Sequence, residues 1–241
     1  MGKYAKGDQK MSKTIMAIGA HVGDMELTAG GVLSSMALEG SKIIIVSLTA
    51  GEKGAPKDMS IEDYRKQKIA EAKAFTDLLN GISIVFPYDD GLLIDNDKIK
   101  FEVADLIREY KPDILITHWK NSMHKDHQTT HRIVNDSQFY AGLPGFIRKY
   151  PHHFAQGPYY AENWEDPTDF HPYLYVHVSE EGFKLWQKAI STHWFALNSP
   201  SFKYKEYYES LMSVRGKEAR TLYAQAFDVS FILKRVIKSS F

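Results

Sequence analysis

The sequence predicts an α/β fold in which a mostly parallel sheet is flanked by helices. Four short apolar runs alternate with four helix-compatible stretches, and the connections between them are short. The runs are rich in β-branched residues and almost continuous, which is typical of parallel strands that helices cover on both faces. The chain has 241 residues, of which 44% are hydrophobic and 25% charged, so we expect one globular domain over residues 1–241.

The predicted strands are the four apolar runs. Residues 14–20 (TIMAIGA) and 113–119 (DILITHW) have the length of a strand, and residues 42–50 (KIIIVSLTA) are the most strongly β-branched. Residues 81–88 (GISIVFPY) complete the set. Each run is shorter than the usual buried helix, and each therefore indicates a strand.

The predicted helices lie between and after these strands. Gly40 and Pro112 mark two of their ends, and in the second helix apolar residues recur at every third or fourth position. The four stretches are residues 25–39, 61–79, 98–111 and 126–141.

Beyond residue 141 the pattern is less regular. Residues 142–172 are rich in proline, glycine, histidine and aromatic residues, and we interpret them as an elaborated functional loop region. Residues 173–179 (YLYVHVS) predict a fifth strand, and residues 180–197 predict a helix. The remaining C-terminal part is compatible with helix.

The composition excludes several classes of function. Thirty basic residues balance thirty acidic ones, so the chain has no excess charge for binding nucleic acid or an anionic membrane. There is no cysteine, which excludes zinc–thiolate sites and thiol catalysis. No apolar run approaches the roughly 18 residues of a membrane span. Residues 1–12 lack the apolar core of a signal peptide, and we expect a flexible extension of a cytoplasmic protein.

Polar side chains follow each predicted strand, at the edge where open parallel sheets bind ligands. Among them, His21, Asp24 and His127 make a set of two imidazoles and one carboxylate, which leaves a position open on a catalytic metal such as zinc. Such a set also accepts Fe, Mn or Co. The competing interpretation is that these histidines only hydrogen-bond the loop backbone. The other polar residues at the strand ends are Glu52, Asp89, Asp90, His118, His124 and Asp126.

Three segments resemble the LmbE-like (PIG-L) N-acetylglucosaminyl de-N-acetylase superfamily. AIGAHVGDMELTAGG at residues 17–31 is similar to its signature A-H-P-D-D-x-E followed by glycines, and HKDH at residues 124–127 is similar to its H-x-D-H signature. RGKEARTLYAQAF at residues 215–227 is similar to a C-terminal stretch of the family. The resemblance implies a Rossmann-like, LmbE-type fold and metal-dependent hydrolysis of an N-acyl amide in a small amino-sugar conjugate. It also points towards a homo-oligomer.

The resemblance implies roles for individual residues. His21, Asp24 and His127 match the metal ligands. His124 matches the histidine that stabilises the oxyanion or protonates the leaving amine. Asp126 matches the carboxylate that orients His124 and holds it cationic.

The sequence departs from the first signature at Gly23, where the family carries the aspartate that takes a proton from water. Glycine accepts no proton, and general-base assistance typically contributes about 10²–10⁴-fold. Three interpretations stay open: another carboxylate substitutes, His124 performs both proton transfers, or hydrolysis has been lost. The carboxylates in question are Asp90, which we include among the candidate catalytic residues, and Asp89, Glu52 and Glu26.

The favoured function is removal of an acetyl group from an N-acetylglucosamine-like substrate by a zinc-dependent hydrolase. The alternative is a catalytically impaired metal- or sugar-binding protein on the same scaffold. Arg65 matches an arginine near the site in some members of the family, although a charged residue at a helix edge has the same pattern. A nucleotide-binding domain is less compatible, because no G-x-G-x-x-G follows the first strand. The candidate catalytic residues are His124, Asp126, Arg65 and Asp90.

Overall fold

A computed structural model describes residues 12–166 and 168–235, and in this part of the chain seven strands form one sheet. The strands are β1 (Thr14–His21), β2 (Lys42–Thr49), β3 (Ile82–Tyr88), β4 (Ile114–Thr117), β5 (Gln156–Ala161), β6 (Leu174–Val178) and β7 (Tyr223–Val229). Their order in the sheet is β3-β2-β1-β4-β5-β7-β6. The first five strands in this order, from β3 to β5, run parallel to one another, and β7 runs antiparallel to β5 and β6. The expected α/β fold with a mostly parallel sheet is therefore confirmed.

Helices cover both faces of this sheet. They are α1 (Asp24–Thr28), α2 (Gly30–Leu38), α3 (Ile61–Leu78), α4 (Asp97–Tyr110), α5 (Lys125–Gly142), α6 (Glu180–Ile190), α7 (Trp194–Asn198) and α8 (Tyr204–Glu218). Alternate residues of β1 belong to different cores: Ile15 and Ala17 pack in the core shared with α2 and α6, whereas Met16 and Ile18 pack in the core shared with α4 and α5. This burial on both faces explains why the first strands are almost continuously apolar.

Two strands were not expected from the sequence. β5 lies inside the region 142–172 that we interpreted as loop, and β7 lies in the C-terminal part that we interpreted as helix-compatible. β5 (QGPYYA) contains glycine and proline, and β7 (YAQAFDV) mixes small and polar residues, so neither forms a continuous apolar run. Pairing with strands that are distant in sequence selects the extended conformation here.

The remaining differences concern ends and breaks of helices. The expected helix over residues 25–39 is two helices that meet at Ala29, and the expected helix over residues 180–197 is α6 followed by α7. Among the described helices, none combines the length and apolarity needed to cross a membrane. Of the expected N-terminal extension, residues 1–11 lie outside the described part.

Candidate active site

Three side chains converge at the carboxyl ends of β1 and β4. His21 is the last residue of β1, Asp24 begins α1 immediately after it, and His127 lies in the first turn of α5, which follows β4. His21 Nδ1 lies 3.3 Å from Asp24 Oδ2 and 3.2 Å from His127 Nε2. Asp24 Oδ2 lies 3.4 Å from His127 Nε2. The structure thus brings together the three residues that the sequence selected as metal ligands.

The spacing of these three atoms fits a metal ion. Ligand atoms bound tetrahedrally to zinc at about 2.0–2.1 Å lie roughly 3.3–3.4 Å from one another, which matches the separations in this cluster. Two nitrogens and one carboxylate oxygen are also the donors that zinc prefers. The donor set therefore suits a divalent cation, although it does not select zinc over Fe, Mn or Co.

The charges around the cluster favour a cation as well. Burial alone would lower the pKa of His21, but Asp24, Asp126 and Asp90 around its ring raise that pKa well above the ordinary value. Burial opposes ionisation of Asp24, but His127 and His21 hold the pKa of its carboxyl well below the usual range. A divalent cation at His21 Nδ1 would replace a proton there and balance the charge of Asp24, while Asp90 and Asp126 remain beside Nε2.

Outer contacts hold the ligand rings in place. Asp90 Oδ1 lies 3.0 Å from His21 Nε2, on the side of the ring away from the cluster. His127 Nδ1 lies 3.2 Å from Ser122 Oγ and 3.3 Å from Glu165 Oε2. Such partners fix the orientation and the tautomer of a metal-binding imidazole.

His118 contacts two members of the cluster, Asp24 and His127, on their buried side. Its Nε2 lies 3.0 Å from Asp24 Oδ2, and its ring stacks on that of His127 at a centroid distance of 4.0 Å. The side chain is only 1% exposed, so it lies beneath the cleft. His118 follows a predicted strand, but no role for it could be assigned from the sequence.

His124 lies at the rim of the same cleft, but its partner differs from the expectation. The backbone N–H of Asp126 donates to His124 Nδ1 at 3.2 Å, which leaves the ring proton on Nε2. Burial, together with the nearby His21 and His127, lowers the pKa of His124. The ring is therefore neutral with its proton on Nε2, which differs from the cationic ring held by the Asp126 carboxylate that the resemblance implies.

The Asp126 carboxylate points elsewhere. Its Oδ2 accepts a hydrogen bond from the backbone N–H of Gly91 at 2.7 Å and lies 3.6 Å from His21 Nε2. Its position in the first turn of α5 directs it towards the loop after β3. Asp126 thus contributes negative charge near His21 and connects two loops, and its main chain orients His124.

Phe195 fills the space beside Gly23. A Cβ atom at Gly23 would lie 2.6 Å from Phe195 Cε1 and still closer to Cζ. Gly23 also has φ +107°, a conformation that residues with a side chain rarely adopt. An aromatic ring from α7 therefore occupies the space that a side chain at position 23 would need, including the carboxylate that the resemblance implies there.

Arg65 and Glu52 form a pair next to the cleft. Arg65 Nη1 lies 3.2 Å from Glu52 Oε1, and the guanidinium also donates to the backbone oxygens of Tyr88 and Phe86 at 3.3 Å. Neither side chain lines the cleft that contains the histidine cluster. The structure thus places Arg65 as a support for Glu52 and the end of β3, away from the position expected for a catalytic group.

Comparisons with known proteins agree with this geometry. The model of the PIG-L family, described as GlcNAc-PI de-N-acetylase, matches residues 16–137, which is half of the chain and includes all three residues of the donor set. The chain belongs to the PIG-L family. The expected family membership is therefore confirmed.

The relatives of this chain are named for different reactions. The chain is 26% identical over 215 residues to 1D-myo-inositol 2-acetamido-2-deoxy-alpha-D-glucopyranoside deacetylase 1 of Catenulispora acidiphila, covering 76% of this chain and 63% of that protein. It is also 26% identical over 147 residues to 4-oxalmesaconate hydratase of Pseudomonas putida, covering 56% and 55%. The chain thus spans about 55–63% of the length of these relatives.

A solved structure shows the same fold. The 4-carboxy-2-hydroxymuconate hydratase GalB of Pseudomonas putida superposes with a TM-score of 0.83 at 19% identity, covering 95% of this chain and 100% of that one. This similarity extends beyond the segment matched by the PIG-L family and includes the region after residue 137.

Glu165 and Phe195 are among the cleft residues that could not be selected from the sequence. Glu165 follows β5, as the other site residues follow their strands, so recognising β5 would have revealed it. Phe195 lies in α7 and gives no signal in the sequence, because its role depends on contact with Gly23, which is 172 residues away.

Asp90 provides a first prediction. If it acts by holding His21, Asp90→Asn should weaken metal binding by about 10–100-fold and change kcat by less than about threefold once metal is saturating. Metal titration and initial rates on the same samples measure both. Asp89→Asn is the matched control, because Asp89 is the exposed neighbour and lies outside the cleft lining. A fall in kcat of about 10²-fold or more at saturating metal would instead identify Asp90 as the proton acceptor.

Asp166 provides a second prediction, on stability. Burial, with Glu165 and Asp24 nearby, raises the pKa of this 3%-exposed carboxyl to about 7. The folded state therefore binds a proton more tightly than the unfolded state, and stability falls as pH rises from about 4 to 7. Asp166→Asn should therefore gain stability relative to the parent as pH rises, by roughly 1–4 kcal/mol between pH 4.5 and pH 8.

Chemical denaturation of the metal-free protein at the two pH values measures this difference in the free energy of unfolding. Asp58→Asn, at an exposed position, is the control and should leave the pH dependence unchanged. Equal effects of Asp166→Asn at both pH values would contradict the raised pKa.

Proposed function

We propose that the chain is a zinc-dependent amidohydrolase that removes the acetyl group from an N-acetylglucosamine-like conjugate. The observation that carries this proposal is the convergence of His21 Nδ1, Asp24 Oδ2 and His127 Nε2 to within 3.4 Å of one another. They lie in a cleft of about 240 Å³ that is also lined by Trp164, among other residues. A cleft of this size suits one sugar ring and its acetamido group.

The metal would be held by these three side chains. A divalent cation in this position would act as a Lewis acid that makes water nucleophilic near neutral pH. The protein supplies the rest: Asp90 holds His21, while Ser122 and Glu165 hold His127.

His124 stabilises the charge that develops on the substrate. Its neutral ring carries a proton on Nε2, so it donates a hydrogen bond to the amide oxygen as that oxygen becomes negative. Donors of this kind contribute about 10²–10³-fold to the rate. Because its pKa is lowered, His124 is poorly suited to hold a second proton for the leaving amine at neutral pH.

Glu165 is the proton carrier in this proposal. Among the described residues, the carboxylates that line the cleft are Asp24, Asp90 and Glu165, and each contacts a histidine of the donor set. They differ in their affinity for a proton, because nearby histidines lower the pKa of Asp24 and Asp90 in spite of burial. Burial raises the pKa of Glu165, which favours uptake of a proton from attacking water and its return to the departing amine. Glu165→Gln should therefore lower kcat by about 10²-fold or more at saturating metal, in contrast to Asp90→Asn.

The test of the function is release of acetate. The chain, reconstituted with zinc, would be incubated with 1D-myo-inositol 2-acetamido-2-deoxy-α-D-glucopyranoside, the compound named for the deacetylase relative. Stoichiometric acetate and free amine are the expected products, and the rate of their release should fall by about 10²–10³-fold in the variant His124→Ala. Metal binding without acetate from this or other N-acetylated sugars would favour the alternative of an impaired binding protein.

A second candidate is hydration of a carbon–carbon double bond in an unsaturated acid. The sequence similarity to the hydratase of Pseudomonas putida favours it. The charges of the cleft oppose it, because the one lysine in the described lining, Lys68, donates to Val22 O at 2.6 Å, and three carboxylates share the cleft. A substrate with several carboxylates would therefore meet unfavourable charge. Loss of the ultraviolet absorbance of 4-oxalmesaconate on incubation would support this candidate.

A further inference from the structure

Tyr208 contacts the turn that carries Glu165, which consists of residues 163–166. It belongs to α8, is 2% exposed and lines the same cleft as the histidine cluster. Its hydroxyl donates to Asn163 Oδ1 at 2.8 Å, so this hydrogen bond joins α8 to the segment after β5. A buried tyrosine hydroxyl usually has a hydrogen-bond partner, and here the partner lies two residues before the proposed proton carrier.

Asn163 shapes this turn through its side chain and its backbone. Its Oδ1 accepts from the backbone N–H of Glu165 at 3.4 Å, and its backbone oxygen accepts from the N–H of Asp166 at 3.0 Å. An asparagine side chain that accepts from the backbone two residues later is typical of an Asx-turn. Because Tyr208 and the Glu165 N–H both donate to Oδ1, the orientation of the Asn163 amide is fixed.

The other side of the turn is held by the loop after β4. The backbone N–H of Met123 donates to the backbone oxygen of Glu165 at 2.8 Å. The backbone of Glu165 is therefore held at its oxygen by Met123 and at its N–H by Asn163. From this position the Glu165 carboxylate lies 3.3 Å from His127 Nδ1.

The Asn163 amide also lies close to the donor set. Its Nδ2 is 3.4 Å from His127 Nδ1. Tyr208 could therefore act on the site in two ways, through the turn that carries Glu165 or through the imidazole of His127. The turn is the stronger connection, because the two hydrogen bonds to Asn163 Oδ1 join the Tyr208 hydroxyl to the Glu165 backbone directly.

We propose that Tyr208 is a positioning residue for Glu165: its hydroxyl fixes Asn163, and Asn163 fixes the backbone from which the Glu165 carboxylate extends. This inference rests on the proposed function, in which Glu165 carries the proton, and it adds the residues that set the position of that carboxylate. Proton transfer requires the carboxylate to lie within hydrogen-bond reach of the reacting water, and a displacement of about 1 Å can lower a rate by about 10²-fold.

The experiment removes the hydroxyl and leaves the ring. Tyr208→Phe should lower kcat for acetate release by about tenfold or more at saturating zinc and leave KM within about twofold, because the groups that bind the substrate are retained. Zinc affinity should stay within about threefold, since the three donor side chains are unchanged. Tyr207→Phe is the matched control, because Tyr207 is the neighbouring tyrosine, is 37% exposed and lies outside the cleft lining.

A double-mutant cycle separates positioning from direct action of the hydroxyl on the substrate. In the background of Glu165→Gln, Tyr208→Phe should change kcat by less than about twofold, because proton transfer by Glu165 is already lost. An equal loss of kcat in both backgrounds would overturn the proposal, since the hydroxyl would then act independently of Glu165. Weaker zinc binding with parental kcat at saturating zinc would also overturn it and would assign the effect to His127.

Hydrogen exchange gives a readout that does not depend on turnover. In the zinc-loaded chain, the amides of Glu165 and Asp166 should exchange about fivefold or more faster in Tyr208→Phe than in the parent, and within about twofold of the parent in Tyr207→Phe. If acetate is never released but these amides respond, the proposed function fails and the positioning of the turn is supported. If acetate is released and Tyr208→Phe keeps the parental kcat, the positioning proposal fails alone.

Discussion

Asp24→Asn is expected to abolish metal-dependent activity, with a loss in kcat/KM of at least about 10³-fold. Asp24 Oδ2 is the carboxylate oxygen of the donor set, and it lies within 3.4 Å of both His21 Nδ1 and His127 Nε2. Asparagine has a similar shape, and its oxygen still accepts the bond from the His21 backbone N–H, so the loop should keep its conformation. The loss of negative charge removes the main attraction for a divalent cation.

Metal content by mass spectrometry, kcat/KM for acetate release and circular dichroism together measure this outcome. Chelation of the parent should produce the same loss, and added zinc should restore the parent but not the variant. Asp89→Asn should behave as the parent because Asp89 is exposed and outside the cleft lining. Full activity and full metal content in Asp24→Asn would show that the cluster is not the metal site.

Gly23→Asp, which restores the family's usual carboxylate, is expected to destabilise the chain by roughly 2–5 kcal/mol and to give no gain in activity. Its Cβ would overlap the ring of Phe195, and its backbone would remain at positive φ. Gly40→Asp is the matched control for backbone strain, since Gly40 has φ +86° and an added Cβ there meets nothing within 4 Å. This control should cost only about 1 kcal/mol.

Removing the Phe195 ring should make the aspartate at position 23 less destabilising and catalytically useful. In the background of Phe195→Ala, Gly23→Asp should cost at least about 1 kcal/mol less than it does alone, because the overlap is gone. The double variant should also hydrolyse amides faster than Phe195→Ala, by up to about 10²-fold, because a carboxylate then adjoins the donor set. Urea denaturation of the four proteins and acetate release measure both effects.

An active and stable Gly23→Asp single variant would contradict this account, since it would mean that Phe195 moves aside at little cost. The single substitution, which the sequence alone suggests as the test of the missing base, is thus informative only together with Phe195→Ala.

The first four strands and the position of the site could be predicted from local pattern. Strands buried on both faces must be apolar along their whole length, so they are visible in the sequence without knowledge of their neighbours. Parallel strands also end at a common edge, so polar residues that follow them are brought together by topology. For this reason the proximity of His21, Asp24 and His127 could be predicted across more than a hundred residues.

β5 and β7 could not be predicted in this way. Their residues carry no continuous apolar run, and pairing with partners far along the chain makes them strands. Missing β5 also meant missing Glu165, the carboxylate at its end. The direction of the Asp126 side chain could not be predicted either. The hydrogen bond from Gly91 N–H to its carboxylate forms only when α5 packs against the loop after β3.

The amino-acid sequence by itself determined the strand–helix order, the edge of the sheet where the polar residues meet, and the family. These follow from periodicity and from short motifs, which act over a few neighbouring residues. Only the tertiary structure decided that Phe195 occupies the space at Gly23, that His124 is neutral, and that the Asp126 carboxylate accepts from Gly91 N–H. Each of these depends on contacts between segments far apart in the chain, and such contacts leave no local pattern.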